Sequence, residues 1–321
     1  MLDWTNMSLW LLLAAFAVGL VLIVKGGDWF VDAASWIARV SGIPSFIIGA
    51  TIVSVATTLP EMIVSIMAAA RGSNEMAVGN AVGSVTANTA MILALSLIFM
   101  KVLTPRKLFL KKILLLTAAV TVTLIGCLGE QLPIWASLLL LIIFALFIWE
   151  NLDSARKSVA EEEEKVSTAP KEIAKNIVLF VLGAAGIVIG SRLLIDTGTE
   201  MAVRFGVPER VIAVTFVAVG TSLPELVTTI TAIIKHQTNL SVGNIVGANL
   251  IDMTLILPLC SLVSGKPLPI SHVGAVLDIP ACLAVTVLAF LPAMISQKFR
   301  KWQGFALLAA YAAYVTVTFM V

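Results

Sequence analysis

The chain has 321 residues, of which 59% are apolar and only 12% charged, with a formal net charge of +2 and a mean hydropathy of +1.03. Soluble domains carry about 25% charged residues, so this composition excludes a soluble enzyme and a nucleic-acid binder, and a near-neutral charge names no partner. At roughly 20 residues per span, the apolar sequence suffices for about ten membrane helices.

Apolar runs between charged residues, prolines and glycines predict spans over 9–34, 44–70, 76–100, 108–128, 132–150, 176–203, 208–234, 241–263, 273–295 and 303–320. The runs are continuous and do not alternate with period two, which excludes a β-barrel. The first, from Leu9 to Val24, has no basic segment before it and reads as a span, not a cleaved signal. Asp28, Asp32, Asp196 and Glu200 lie toward the ends of spans one and six, with Lys25 and Arg192 near enough to form structural salt bridges. The segment 151–175 holds Glu161 to Glu164 and then Ser167-Thr168-Ala169-Pro170, the composition of a solvated linker. Cys127, Cys260 and Cys282 sit in apolar stretches without CxxC spacing and read as small buried hydrophobes. His236 and His272 fall in predicted loops and take no site role. Loops after the odd-numbered spans hold fifteen Lys and Arg residues against four on the other side. That bias predicts a cytoplasmic linker and extracytoplasmic termini. Trp10, Trp135, Trp149 and Trp302 fall near span ends, at headgroup level.

Shifted by 164 residues, the sequence overlays on itself. Gly42-Ile43-Pro44 meets Gly206-Val207-Pro208. The block from Ser54 to Glu61 meets Ala218 to Glu225, and Gly79-Asn80-x-x-Gly83 meets Gly243-Asn244-x-x-Gly247. Five spans per half is an odd number, so the second copy enters the membrane upside down. The prediction is an all-α polytopic membrane protein of about ten transmembrane helices in two inverted five-helix repeats, 1–150 and 176–321, joined by the linker 151–175. Inverted repeats are a transporter architecture, with the binding site at the midplane between them.

Glu61 and Glu225 lie inside apolar spans, each directly after a proline and with no basic residue within a turn or two. A carboxylate at that depth costs at least a few kcal/mol, which marks it as functional. Pro60 and Pro224 lack an N–H and their rings clash with the preceding turn, so each span is expected to break there. Carbonyls around Ser54 to Thr57 and Ala218 to Thr221 then lose helix partners, beside the hydroxyls of Thr57, Thr58, Thr221 and Ser222. An all-oxygen set of carboxylate, carbonyl and hydroxyl suits Ca²⁺ or Na⁺, and without His or Cys it does not suit zinc or copper. Gly79 and Gly83, like Gly243 and Gly247, are four apart and allow close helix approach. Ser84 and Asn88 share a helix face and can point at one cavity; their second-half counterparts are Ala248 and Asp252.

These blocks, Thr57-Thr58-Leu59-Pro60-Glu61 with Gly79-Asn80-x-x-Gly83-Ser84, and Gly220-Thr221-Ser222-Leu223-Pro224-Glu225 with Gly243-Asn244-x-x-Gly247, resemble the alpha repeats of the sodium/calcium exchanger family. The resemblance extends over most of the chain and is most specific over 42–95 and 206–259. The short linker leaves no room for the regulatory calcium-binding domains of long eukaryotic members, so the chain is similar to a minimal, prokaryotic-type exchanger. The resemblance implies a multi-pass cell-membrane antiporter that moves sodium inward and calcium outward by alternating access. Calcium and sodium ions are then substrates, no cofactor is needed, and no obligate protein partner is evident. It implies Glu61 and Glu225 as the central calcium ligands, and Thr57, Thr58, Thr221 and Ser222 as oxygen donors to calcium and flanking sodium sites. Ser54 and Ala218 match positions that act through main-chain carbonyls, while Asn88 and Asp252 match the polar pair at the centre. Ala248 departs from the pattern, because it lacks the hydroxyl that Ser84 offers to an outer sodium site.

The alternative within transport is a proton-coupled calcium or other cation antiporter, in which the same glutamates carry protons. Its usual signature has Gly-Asn-Ala-Thr-Glu where this chain has Leu-Pro-Glu blocks. A cation channel would draw rings of oxygens from several subunits, whereas here the ligands are duplicated within one chain. A membrane enzyme has no support: there is no Walker loop, zinc-type His motif or nucleophile–His pair.

Overall fold

The structure, a computed structural model, describes residue 4 and residues 7–100, 106–161, 169–206, 218–296 and 298–320. Glu162 to Thr168, Val207, Pro208, Arg210 and the start of the expected seventh span lie outside these residues. The described residues form α1 (Leu9–Ser41), α2 (Ser45–Ala70), α3 (Asn74–Phe99), α4 (Arg106–Gly126) and α5 (Ile134–Glu161). After the linker come α6 (Pro170–Arg204), α7 (Leu223–Ile234), α8 (Thr238–Ser264), α9 (Gly274–Ser296) and α10 (Lys301–Met320). Among the described residues eight helices, α1 to α6 with α8 and α9, are long and apolar enough to cross a membrane. The fold is that of an all-α polytopic membrane protein, with one two-residue ribbon among the described residues (Gln131–Leu132 against Leu268–Pro269) tying two loops together.

Local chemistry sets the helix ends. Ser8 caps α1 by accepting from the Leu11 N–H at 3.3 Å, and the helix stops at Gly42, whose φ of 67° is a left-handed conformation that glycine adopts without a Cβ clash. Pro170 opens α6 in the first turn, where its missing N–H costs no helix bond. Beside the ribbon, His272 Nδ1 lies 2.7 Å from Glu130 Oε1, so this histidine belongs to a loop contact, as expected.

The helices form layers of differing burial. Only 22% of the apolar window of α1 and 28% of that of α6 is buried, against 83% for α8, so α8 runs through the middle and α1 and α6 flank it. Trp10, Val18, Val21, Val178 and Val181 face outward as lipid-facing surface. α1 and α6 meet backbone to backbone. A Cβ on Gly26 would lie 2.8 Å from the Gly183 carbonyl, and one on Gly190 would lie 2.8 Å from that of Gly19. Small residues at a membrane helix interface gain dispersion contacts by this closeness. The pairing order, 19 with 190 and 26 with 183, makes the two helices antiparallel. α3 and α8 are antiparallel too, since Thr89 bonds Asn249 and Ser96 bonds Ser241. The main apolar core joins α3, α4, α5, α8 and α9, and a second cluster around Phe30, Ile48, Val53 and Ile187 joins α1, α2 and α6.

Three expectations are corrected here. Asp28 and Asp32 do not pair with Lys25; both reach Lys235 at the end of α7, at 3.4 and 2.7 Å, because folding brings the second half's cation closer than the helix's own. Arg192 and Asp196 do pair, at 3.9 Å, and Glu200 takes Arg204 at 2.7 Å. Lys112, one of the fifteen basic residues counted on the odd-loop side although it falls at the start of the span 108–128, is fully buried and ion-paired with Glu150, whose other oxygen accepts from Ser154 Oγ at 2.7 Å. A buried cation needs such a partner, and the aromatic face of Phe46, 5.6 Å from its nitrogen, adds a second. Finally, α2 does not break at Pro60: helix continues from Ser54 to Ala70. A membrane helix tolerates a proline when neighbours and hydroxyls satisfy the freed backbone, and irregularity appears instead as a π-helical turn at Gly49–Val53.

Candidate functional site

The second half does break at its proline. Helix over Ala218–Thr221 is interrupted at Ser222, and α7 restarts at Leu223 with Pro224 in its first turn. That places Glu225 at a helix start, fully buried. In the first half, α2 carries Ser54, Thr57, Thr58 and Glu61 on one side of a continuous helix, all essentially buried. Ser84 and Asn88 of α3 and Asp252 of α8 are buried as well, while Thr221 is half-buried. Ala218 starts the short helix before Ser222.

Hydrogen bonds bring the two halves together at these residues. Thr58 Oγ1 donates to Glu225 Oε1 at 3.3 Å, and Thr57 Oγ1 donates to Asn244 Oδ1 at 3.1 Å. Thr57 also reaches the Ser54 carbonyl at 3.3 Å, and Ser54 Oγ donates to the Thr51 carbonyl at 2.9 Å. Through Thr58, Glu225 sits against the helix α2 that also carries Glu61 one turn further on. Among the described residues no three His, Cys, Asp or Glu side chains converge as a metal-binding group.

Close packing explains how the halves meet. α8 presses on the first part of α2: a Cβ on Gly243 would fall 2.2 Å from the Phe46 carbonyl, and one on Gly247 would fall 2.5 Å from Ser54 Oγ. The expectation of close approach holds for this glycine pair. For Gly79 and Gly83, no described residue lies within 4 Å of an added Cβ, and the repeat-equivalent stretch around 210–218 lies largely outside the described residues.

Two features of the site were not read from sequence. Asn88 and Asp252 each begin a π-helical turn, Asn88–Leu93 and Asp252–Ile256. The extra residue in such a turn shifts the hydrogen-bond register and re-aims the following side chains, a feature common at functional sites. Asn80 and Asn244, the polar residues of the repeated Gly-Asn pairs, make bonds to the site: Asn80 Nδ2 donates to Ser65 Oγ at 2.9 Å and to the Glu61 carbonyl at 3.4 Å. Their signal was present, a polar residue in an apolar helix duplicated at the same offset.

Buried polar atoms without a protein partner concentrate here. Both oxygens of Glu61, both of Asp252, Glu225 Oε2, both amide atoms of Asn88, and the hydroxyls of Ser84 and Ser222 are among them. Burying such atoms unbonded costs roughly 1–3 kcal/mol each, more for charged ones. So many in one place, with carboxylates at the centre, define a cluster of hard oxygen donors matched to a desolvated cation.

The sodium/calcium exchanger protein family matches residues 11–152 and 175–320 of this chain. The sodium/calcium exchanger MaX1 of Methanosarcina acetivorans is 27% identical over 342 aligned positions, covering 95% of this chain and 97% of that protein. The inner membrane protein YrbG of Escherichia coli is 34% identical, covering 78% and 79%. Among solved structures, the sodium-calcium exchanger NCX_Mj soaked with Na⁺ and Sr²⁺ superposes with a TM-score of 0.84 at 28% identity, covering 96% of this chain and 99% of that one.

Proposed function

Because this chain belongs to the sodium/calcium exchanger protein family, we propose that it exchanges sodium for calcium across the membrane at the site between α2, α3, α7 and α8. The observation that carries the site is the concentration of unpartnered buried oxygens on Glu61, Glu225 and Asp252. The protein is a transporter, not an enzyme, and its ions are substrates.

In this reading Glu61 and Glu225 are the central calcium ligands. Thr57, Thr58, Thr221 and Ser222 supply hydroxyl oxygens, and Ser54 and Ala218 supply main-chain carbonyls. Asn88, Asp252 and Ser84 complete the set from α3 and α8. One divalent ion or a few sodium ions neutralise the clustered carboxylates, and both cannot occupy the same oxygens. Each ion therefore stabilises its own occupancy state, and the competition couples their movements. Alternating access follows from two inverted repeats, 1–150 and 176–321, joined by the linker 151–175. The antiparallel α1/α6 and α3/α8 pairs support that inversion, because each pair consists of equivalent helices of the two halves. The bias of Lys and Arg supports extracytoplasmic termini and a cytoplasmic linker in a cell-membrane protein.

The test is calcium-45 uptake into sodium-loaded proteoliposomes, with and without an imposed pH gradient. Sodium-driven uptake that is lost in both Glu61→Gln and Glu225→Gln is the expected result. Uptake driven by the pH gradient alone would transfer the chain to the proton-coupled class, and full uptake in either variant would remove the glutamates from the site.

A further inference from the structure

Asn80 and Asn244 occupy equivalent positions in the two halves, but their side chains are engaged differently. Asn244 reaches across to the other half and accepts from Thr57, while its own Nδ2 is buried without a partner. Asn80 stays within its own half, donating to Ser65 Oγ and to the Glu61 carbonyl. The equivalent partners exist on both sides. Thr221 matches Thr57, and Thr229 with the Glu225 carbonyl match Ser65 with the Glu61 carbonyl. A symmetric set of residues is thus held in an asymmetric arrangement, one asparagine inter-half and one intra-half.

We propose that Asn80 and Asn244 are positioning residues that exchange these roles during transport. In the described conformation Asn244 Oδ1 accepts the hydrogen bond donated by the Thr57 hydroxyl. A hydroxyl that serves as a cation ligand must point its hydrogen away from the ion, and Asn244 Oδ1, at 3.1 Å against 3.3 Å for the Ser54 carbonyl, is the nearer acceptor that lets the Thr57 oxygen face inward. In the opposite-facing conformation, which the inverted repeat produces by swapping the two halves' shapes, Thr221 donates to Asn80 Oδ1. Asn244 then turns its amide to Thr229 and the Glu225 carbonyl, so its unpartnered Nδ2 finds the bonds that Asn80 makes now. Each Thr–Asn bond exists in one state only and biases the equilibrium toward that state.

This inference rests on ion exchange at the proposed site. Its test uses the full-length protein in proteoliposomes of known orientation, with calcium KM measured separately on each face. Asn244→Leu keeps the side-chain volume and removes the acceptor. It is expected to raise calcium KM on one face by roughly threefold to tenfold, the range that one net hydrogen bond supports, with the other face unchanged or improved. Asn80→Leu is expected to give the mirror image. In a double-mutant cycle Asn244→Leu should add little once Thr57→Val is present, because the asparagine acts through that hydroxyl. Equal shifts on both faces, shifts on the same face, or additive effects of Asn244→Leu and Thr57→Val would overturn the proposal. If Asn244→Leu does not assemble, half-buried Asn80 still carries the test, since its variant must affect one face alone. Calcium-45 binding to the purified protein runs the same cycle without flux. A wild type lacking sodium-dependent flux therefore defeats the exchange reading, whereas additivity in binding defeats this one.

Discussion

Gly247→Ala is the most direct probe of how the site is assembled. The added methyl would stand 2.5 Å from Ser54 Oγ and 2.7 Å from the Cα and carbonyl oxygen of Ala50. Two of these three contacts are backbone, which cannot turn aside as a flexible side chain does. The third is a hydroxyl held by the Thr51 carbonyl at 2.9 Å. Ordinary contact begins near 3.4 Å, so α8 and α2 must separate by several tenths of an ångström. Overpacking of this kind costs about 1–3 kcal/mol. The separation falls where α2 presents Ser54 and Thr57 and where Asn244 reaches Thr57, so strain and ion binding are linked. Calcium affinity is expected to weaken by about tenfold or more, the equivalent of 1.4 kcal/mol from the lower part of that range. The assay is calcium-45 binding to purified protein alongside thermal unfolding, with Gly129→Ala as control, since no described residue lies within 4 Å of a methyl there. A Gly247→Ala protein with wild-type unfolding and wild-type calcium binding would refute the close α2–α8 contact as a determinant of the site.

Further outcomes follow from the same geometry. Ala248→Ser restores the hydroxyl that Ser84 has in the other half and is expected to tighten apparent sodium affinity by up to about tenfold, within the net worth of one charged contact; sodium titration of calcium flux decides it, and identical curves would separate Ala248 from any sodium site. Lys112→Met strands the Glu150 charge in the membrane and is expected to cost about 3–5 kcal/mol of stability, with the double variant Lys112→Met/Glu150→Met recovering most of it; equal melting of single and double variants would show that the pair is not coupled. Lys235→Ala removes a partly exposed bridge to Asp28 and Asp32 and is expected to change stability by no more than about 1 kcal/mol, so a large drop in melting temperature would contradict the weight given to that bridge.

Much of the candidate site was legible because its chemistry is expensive in a membrane. Glu61, Glu225 and Asp252 stand out in apolar sequence, since a buried carboxylate persists only where something repays its desolvation. Duplication at a fixed offset pairs Thr57 with Thr221 and Asn88 with Asp252 in the sequence itself. The helices were legible from the length of the apolar runs, though their ends extend beyond the predicted spans, as with α1 reaching Ser41. What sequence did not convey was set by tertiary packing. Lys235 displaced Lys25 as the partner of Asp28 and Asp32 because helices distant in sequence meet there. Pro60 and Pro224 carry the same local instruction, yet only the second interrupts its helix. The π-helical turns at Asn88 and Asp252 have no composition of their own that marks them in the sequence.

The two prolines and the two asparagines point to one physical idea. A duplicated sequence supplies each half with many of the same donors and acceptors, although Ala218, Ala248 and Asp252 differ from Ser54, Ser84 and Asn88, and the described conformation holds the shared ones in unequal arrangements. In the described conformation the first half is continuous through Pro60 and joined to the second by Thr57–Asn244 and Thr58–Glu225. The second half is interrupted at Ser222, whose hydroxyl is buried without a partner. Where the halves carry matching residues, as at Thr57/Thr221 and Asn80/Asn244, a bond lost in one half would have a counterpart to gain in the other, so an exchange of those shapes would cost little net energy there. Such a near-balance is what an exchanger needs, since the ion bound, and not the protein's intrinsic preference, then decides which way the equilibrium moves.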